Sequence, residues 1–403
     1  MAIELTPCQV KAKDEIEMFL ADEHSNMLIV SSPAGCGKSF LLEHTLGDLK
    51  YINELRGVLG TNTFDKVHMG AMSNKAAQVI RGETFDSLYG LFPMPDFKTG
   101  KTYRKRKGGV GRSQTDAIIA IDEAGMLDTD GLKHMEELTH RSKIILTLDR
   151  YQLPPVGEAE APIFDRGIHT VELETPVRQA EGSPLLELCT SLRDGVKNQY
   201  LAPLMESDQV HYIGDEEAAE FFRTMTTEDK VLTYTNDLAI RLNQVVRNYK
   251  GVDGFWKEGE VLVSNGIIKA GTTTLLKNEQ KLTVTKVMDD VITNEWGMDC
   301  KGIVTTAGSF LVPLSTDALT QALNKAKRAK DWQTYYGIKE SVPDLRGSWS
   351  STVHKSQGST YNNVFINLNN LKKAKYQDFN LFLRLLYVAV SRAKGKVLLY
   401  GNL

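Results

Sequence analysis

Met27-Leu28-Ile29-Val30-Ser31-Ser32-Pro33-Ala34-Gly35-Cys36-Gly37-Lys38-Ser39 decides how the rest of the sequence is read. Five residues of buried-strand character run into a glycine-rich turn, and the turn opens onto a helical pattern from about Lys38 to Leu49. In that setting the N–H groups of the turn and the positive end of the helix point at one spot, a ready site for phosphate. Lys38 adds a mobile ammonium, and the Ser39 hydroxyl is placed to meet a Mg²⁺ that bridges the outer phosphates. Pro33, Ala34, Gly35, Cys36 and Gly37 would form the cradle. The first glycine of the usual pattern is replaced by Ser32. A strand-to-helix turn without a ligand is the bland alternative, and a GKS sequence in this context argues against it.

Outward from that stretch, short apolar runs alternate with amphipathic ones. Strands are expected at Val67–Met72, Ala117–Ile121 and Ile144–Leu148, with a helix at Lys75–Ile80. The rhythm restarts after about residue 177, with a strand at Val231–Tyr234, a helix at Asp237–Tyr249 and a strand–helix–strand run at Val364–Leu368, Asp378–Ser391 and Lys396–Tyr400. Alternation of this kind implies parallel sheets with crossover helices, hence an α/β fold of two similar domains. Two stretches interrupt it. Residues 92–115 carry turn residues and the cations Lys98, Lys101, Arg104, Lys105, Arg106, Lys107 and Arg112. Residues 266–347 mix β-like runs with one polar helix around Thr316–Tyr335.

Composition bounds the chemistry. With 403 residues, 41% hydrophobic and 25% charged, the chain is too long for one ordinary core and too apolar for disorder. Its 48 basic residues are outnumbered by 51 acidic ones, so a nucleic-acid site must be a local patch. No apolar run approaches the roughly 18 residues of a membrane helix. The opening MAIELTPCQVKAKDE carries acids and no apolar core, and a cytoplasmic protein is expected. Cys8, Cys36, Cys189 and Cys300 are too scattered for a zinc site or a disulfide framework.

The strand at Ala117–Ile121 ends in Asp122-Glu123. Adjacent acids at the end of a buried strand are costly unless a cation or proton uses them. Asp122 would hold the water shell of Mg²⁺, and Glu123 would act as the base that orients the attacking water. A helix-initiating acidic turn is the plain alternative. Beside the phosphate loop, the pair indicates a nucleoside triphosphatase.

Further along stand Asp149-Arg150-Tyr151-Gln152-Leu153-Pro154-Pro155-Val156, Arg178 in TPVRQ, His354-Lys355-Ser356-Gln357-Gly358, and Leu386-Tyr387-Val388-Ala389-Val390-Ser391-Arg392-Ala393-Lys394. With Leu5-Thr6-Pro7-Cys8-Gln9 upstream, this series resembles the superfamily-one DNA helicases of the RecD and Dda group. It is nearest to the Dda-type helicases of T-even bacteriophages. The motifs span residues 5–394. The resemblance implies two RecA-like domains, residues 1–91 with 116–176 and residues 177–265 with 348–403. Residues 92–115 would be a hairpin pin turning near Lys107-Gly108-Gly109, and residues 266–347 a β-rich insertion with a helical extension. Leu148 departs from the family's glycine, Cys36 from its threonine, and Thr84-Phe85-Asp86-Ser87 from Thr-Ile-His-Ser.

Carried across by position, Gln9 matches a glutamine that reads adenine, and Gln152 one that senses the γ-phosphate. Arg178 and Arg392 match two arginines that reach that phosphate, and Gly358 lies in a motif joining nucleotide to strand. Candidate DNA contacts are Ser73, Asn74, Lys75, Thr84, Phe85, Trp349, Thr352, His354 and Lys355, with Lys105, Arg106 and Lys107 on the pin. Phe85 and Trp349 read equally well as core aromatics, and His354 reads more readily as a loop-orienting group than as an acid or base. The family implies 5′-to-3′ translocation by a monomer on single-stranded DNA and on forked or tailed duplex, powered by ATP and Mg²⁺. Single-strand-binding or replisome proteins are the expected protein partners, and host cytoplasm the compartment for a phage-encoded chain. A DNA-stimulated ATPase that displaces bound proteins without unwinding, and a P-loop enzyme acting on a small molecule, are the competing readings.

Overall fold

The computed structural model describes residues 5–33, 35–174, 182–271 and 273–403. Contacts divide the chain into two compact units. One comprises Met1–Pro93, Arg104–Tyr212 and Val353–Leu403; the other comprises Met94–Tyr103 and Ile213–Thr352.

The first unit is built on six parallel strands in the order Thr170–Glu172, Met27–Ser31, Lys143–Leu148, Ala117–Asp122, Lys66–Ala71 and Glu83–Thr84. Alternate residues of each strand serve opposite faces. Ile29, Ile119, Ile121, Ile144 and Leu146 pack on one side with Phe85, Leu88, Tyr89, Leu132 and Met135. Leu28, Val30, Ile118, Ala120 and Ile145 pack on the other with Ile16, Phe19, Leu20, Leu41 and Leu42. A sheet covered on both faces has no use for polar alternation, which is why Ala117-Ile118-Ile119-Ala120-Ile121 is unbroken in its apolarity. The same unit holds the parallel neighbours Tyr361–Asn367 and Ala393–Tyr400, joined through the helix Phe379–Ser391.

The second unit contains the parallel pair Lys230–Thr233 and Ser350–Thr352. It also holds an antiparallel sheet ordered Gly308–Pro313, Asp299–Thr305, Lys281–Thr293, Val261–Ser264 and Leu345–Gly347. Leu262, Leu282, Val284, Ile303 and Phe310 give that sheet its own core. The single polar helix expected at Thr316–Tyr335 is in fact two, Thr316–Arg328 and Trp332–Ser341. Lys330 takes a left-handed φ of 57°, and the Asp331 side chain then caps the second helix by accepting the Thr334 N–H at 3.1 Å.

The basic stretch does form a hairpin, of Leu91–Pro95 with Thr102–Arg106. Its turn is not at Lys107-Gly108-Gly109 as expected. Those residues form a short 3₁₀ turn, and the reversal occurs at Asp96–Lys101, where the Asp96 N–H donates to the Lys101 carbonyl at 2.8 Å. Asp96 supplies the physical reason. Its carboxylate accepts from the Lys98 N–H and the Thr99 hydroxyl, closing an Asx-type turn that the glycine pair cannot make.

Inside the second unit the tip is fastened by aromatics. The Tyr336 hydroxyl donates to the Gly100 carbonyl at 3.0 Å, and the Phe97 ring meets Tyr336 edge-on at 6.2 Å. Gly100 has φ +72°, and a Cβ there would stand 2.3 Å from the Trp332 ring. Gly100→Ala should therefore cost about 1–3 kcal/mol of stability, read as a lower urea midpoint. In a Trp332→Ala background the same change should cost clearly less. Equal costs in both backgrounds would mean the ring is not the obstacle.

Candidate nucleotide site

Gly35 and Gly37 both have positive φ, 89° and 76°, which lets the loop curl so that its backbone leads into the helix Lys38–Leu46. Lys38 Nζ lies across the loop's own oxygens, donating to the Ser32 carbonyl and hydroxyl at 3.1 Å each and to the Pro33 carbonyl at 3.3 Å. An ammonium held by carbonyls and a hydroxyl is readily transferred to a stronger acceptor such as a phosphate oxygen. Cys36 is buried, and burial pushes its thiol up to about 11, so it is a small packing group rather than a nucleophile. Ala34, and Arg178 with the rest of 175–181, lie outside the described residues.

Asp122 is the nodal acid. Its Oδ2 accepts the Ser39 hydroxyl at 2.8 Å, and its Oδ1 accepts the Thr147 hydroxyl at 2.5 Å and the Glu123 N–H at 2.9 Å. Ser39 and Asp122 thus present hard oxygens side by side. Such a pair fits Mg²⁺, which keeps several waters and is completed by substrate phosphates. Thr147 was not anticipated, although a lone hydroxyl in the apolar strand Lys143–Leu148 is the available signal. Glu123 stands just beyond the strand with a left-handed φ of 55°, an uncommon conformation for a non-glycine residue. Burial, with Asp122 adding to it, lifts the Glu123 carboxyl above its ordinary range, while Lys38 and Arg392 pull the other way.

Gly35, Gly37, Lys38, Ser39, Asp122, Glu123, Gln152, Gly358 and Arg392 line a single cavity of about 370 Å³. Residues more than 350 positions apart in sequence therefore meet at one place. Arg392 is 3% exposed, and its guanidinium donates to the carbonyls of Val388 and Ser359 at 3.3 Å and to the Ser391 hydroxyl at 3.0 Å. Gly358 has φ +70° and sits against Ser73 and Ala76. Gln9 is 2% exposed. Its oxygen accepts the Thr6 N–H at 3.0 Å in a capping box, and its amide donates to the Cys36 carbonyl at 3.1 Å, tying the first helix to the phosphate loop.

The DNA candidates divide. Ser73 and Thr84 cap helices, accepting the N–H groups of Ala76 and Ser87. Asn74 and Lys75 begin the helix that Ser73 caps. Trp349 is half-buried with the Lys250 ammonium 4.7 Å from its ring centre, and Thr352 is buried. His354 and Lys355 are half-buried on the short helix Val353–Ser356. Phe85 is corrected: it is 1% exposed and packed at a tilt against Tyr89 in the core, ring centres 5.0 Å apart, so it offers no face to a base. The basic run is corrected in part. Arg106 is engaged by Glu137 and His134, Arg104 by Asp86 and Asp128, and Arg112 by Glu83. These arginines anchor the hairpin base, whereas Lys98, Lys101, Lys105 and Lys107 are exposed.

Burial depresses the pKa values of His354 and His68 below 6.5. The unfolded chain then takes up protons first, so stability is lost as pH falls below about 6.5. The melting temperature should drop between pH 7.5 and 5.5, and the drop should be smaller in a His354→Gln, His68→Gln variant. Parallel curves for the two proteins would contradict this.

Residues 5–215 match an AAA domain family, and residues 347–400 the UvrD-like helicase C-terminal domain. The chain is 22% identical over 438 residues to the ATP-dependent DNA helicase Pif1 of Bdellovibrio bacteriovorus, covering 99% of this chain and 89% of that one. It is 24% identical over 303 residues to the ATP-dependent DNA helicase PIF1 of Emericella nidulans, covering 68% of this chain and 38% of that one. Among solved structures, the Pif1 helicase of Candida albicans superimposes with a TM-score of 0.53 at 16% identity, covering 100% of this chain and 96% of that one. A Bacteroides Pif1 bound to ssDNA gives 0.53 at 17%, covering 98% and 92%. Likeness at that identity establishes the fold, parallel-sheet RecA-like domains. The AAA match takes in more than half of the chain and contains the phosphate loop, the acid pair and Gln152, while the C-terminal match contains Gly358 and Arg392. The chain belongs to this AAA domain family, carries a UvrD-like helicase C-terminal match, and is similar along nearly its whole length to Pif1 helicases.

Proposed function

We propose that this ATP-hydrolysing helicase moves 5′ to 3′ along single-stranded DNA and separates duplex at forks or tails, serving replication, recombination or repair. The observation that carries the reading is the meeting of Lys38, Ser39, Asp122, Glu123, Gln152 and Arg392 around one cavity. The relatives named above include ATP-dependent DNA helicases. A further structure of similar fold, with a TM-score of 0.52, is described as two Pif1 helicases unwinding forked dsDNA. The finer kinship with Dda-type phage helicases rests on the motif series, as does monomeric action with single-strand-binding or replisome proteins nearby. So does the division into a first domain (1–91, 116–176), a pin (92–115), a second domain (177–265, 348–403) and an insertion (266–347).

In this reading the outer phosphates draw Lys38 off the Ser32 and Pro33 carbonyls, and Arg392 off Val388 and Ser359. Ser39 and Asp122 would hold Mg²⁺, which when bound would supply charge neutralisation for the phosphates. Glu123, its carboxyl already biased toward accepting a proton, takes one from the attacking water. The water oxygen bonds to the γ-phosphorus as the bond to the β-bridging oxygen breaks, and ADP leaves with that electron pair. Arginine donors compensate the charge as it shifts. Gln9 holds the loop in place and reads adenine only by sharing its amide with Cys36. Opening a base pair costs about 1.4 kcal/mol on average, so directionality rather than energy is the demand on the motor.

Two partial duplexes, alike except for a 5′ or a 3′ tail, test direction in the presence of ATP and Mg²⁺. Opening of the 5′-tailed one alone is expected. Opening of the 3′-tailed one alone would overturn the polarity, and opening of neither would favour a displacer of bound proteins. Arg392→Ala should lower kcat for ATP hydrolysis about 100-fold or more with little change in nucleotide affinity. Equal losses in both would argue against a role at the transition state.

A further inference from the structure

Gln152 is held in an informative way. Its Nε2 donates to Asp149 Oδ2 at 3.3 Å, while its Oε1 is buried without a hydrogen-bond partner among the described residues. A carboxylate offers only acceptors, so the amide must turn its NH₂ toward Asp149 and leave its oxygen as the unpaired function. Asp149 is in turn gripped from a distant part of the chain. The Tyr387 hydroxyl donates to the same Oδ2 at 2.6 Å, the Tyr151 N–H donates to Oδ1 at 3.1 Å, and Arg193 Nε stands 3.8 Å away.

Tyr387 belongs to the helix Phe379–Ser391, and one turn earlier the helix presents Arg384. Arg384 Nη1 donates to the carbonyls of Arg150 at 2.7 Å and Gln152 at 2.6 Å, and Nη2 donates to Glu160 at 2.6 Å. Arg384 is 5% exposed and Tyr387 1%. Positions 384, 387 and 391 share one face of the helix, and Arg392 follows directly at its end.

Building on the nucleotide-site reading above, we propose that Arg384 and Tyr387 are positioning residues that fasten Gln152 to the helix carrying Arg392. They act through Asp149 and the loop carbonyls and touch no nucleotide themselves. One helix then sets both the arginine that meets the γ-phosphate and the amide oxygen that holds a hydrogen of the attacking water. Glu123 takes the other hydrogen as a proton. A shift of Arg392 toward phosphate moves Tyr387 and Arg384 with it, and the loop at 149–153 follows.

Tyr387→Phe removes only the hydroxyl. Its kcat for DNA-stimulated ATP hydrolysis should fall about tenfold, with KM for ATP within about twofold and an unchanged melting temperature. The loss should not multiply with that of Gln152→Ala, because both changes break one chain of contacts. Full kcat in Tyr387→Phe, a raised KM with intact kcat, or independent multiplication of the two losses would overturn the proposal. Should Tyr387→Phe melt early, Arg384→Lys, which keeps the charge but loses the two-carbonyl fork, must reproduce the kcat-selective loss; normal kcat there would also overturn it. Lys38→Ala, assayed alongside, separates the levels. Turnover surviving in that variant would refute the nucleotide-site reading itself, whereas its loss beside a fully active Tyr387→Phe would refute only the fastening.

Discussion

A carboxylate at the end of a fully covered sheet governs the arrangement of this molecule. Asp122 is nearly inaccessible, and an unpaired charge there would cost several kcal/mol. Three donors make it tolerable: the hydroxyls of Ser39 and Thr147 and the N–H of Glu123. Each comes from a different element: the helix after the phosphate loop, the adjacent strand, and the turn beyond its own strand. The network therefore fixes the relative register of loop, sheet and base. It also places the Ser39 hydroxyl and the Glu123 carboxyl on the same cavity.

Much of the first sheet was readable before folding, because a strand buried on both faces must be continuously apolar and the glycine loop marks its carboxyl end. Four expected strands coincide with observed ones to within a residue. The meeting of Lys38 with Arg392 was readable only through the motif series, since no local pattern links residues so far apart. What escaped was set by partners invisible along the chain. The hairpin's reversal was assigned to a glycine pair because glycine permits turns, yet Asp96 and Thr99 supply the hydrogen bonds that make one. Lys330 in a left-handed conformation divides a helix whose composition gives no break. Phe85 has the same chemistry on a core or on a base, and only its environment distinguishes them.

The basic stretch shows how a charge run misleads when read as a single feature. Its arginines are spent on Asp86, Asp128, Glu137 and Glu83, a use suited to the fixed fork of a guanidinium. Its lysines are left to solvent, as suits a compact, strongly hydrated charge on a flexible stem. Arginine for architecture and lysine for the surface is a division that composition alone could not give.

The hairpin tip has a consequence for how the molecule can be taken apart. Met94–Tyr103 groups with Ile213–Thr352, although the chain between them belongs to the other unit. The second unit is thus not one contiguous stretch of gene. A recombination event that exchanged residues 213–352 would import Trp332 and Tyr336 but leave behind the loop on which they close. The incoming rings would meet a foreign tip, and unless it carried glycine at the equivalent of Gly100 they would collide with its first side-chain carbon. Inheritance of this unit is therefore tied to a distant ten-residue segment, and its modularity is of a kind that swapping a single segment cannot respect.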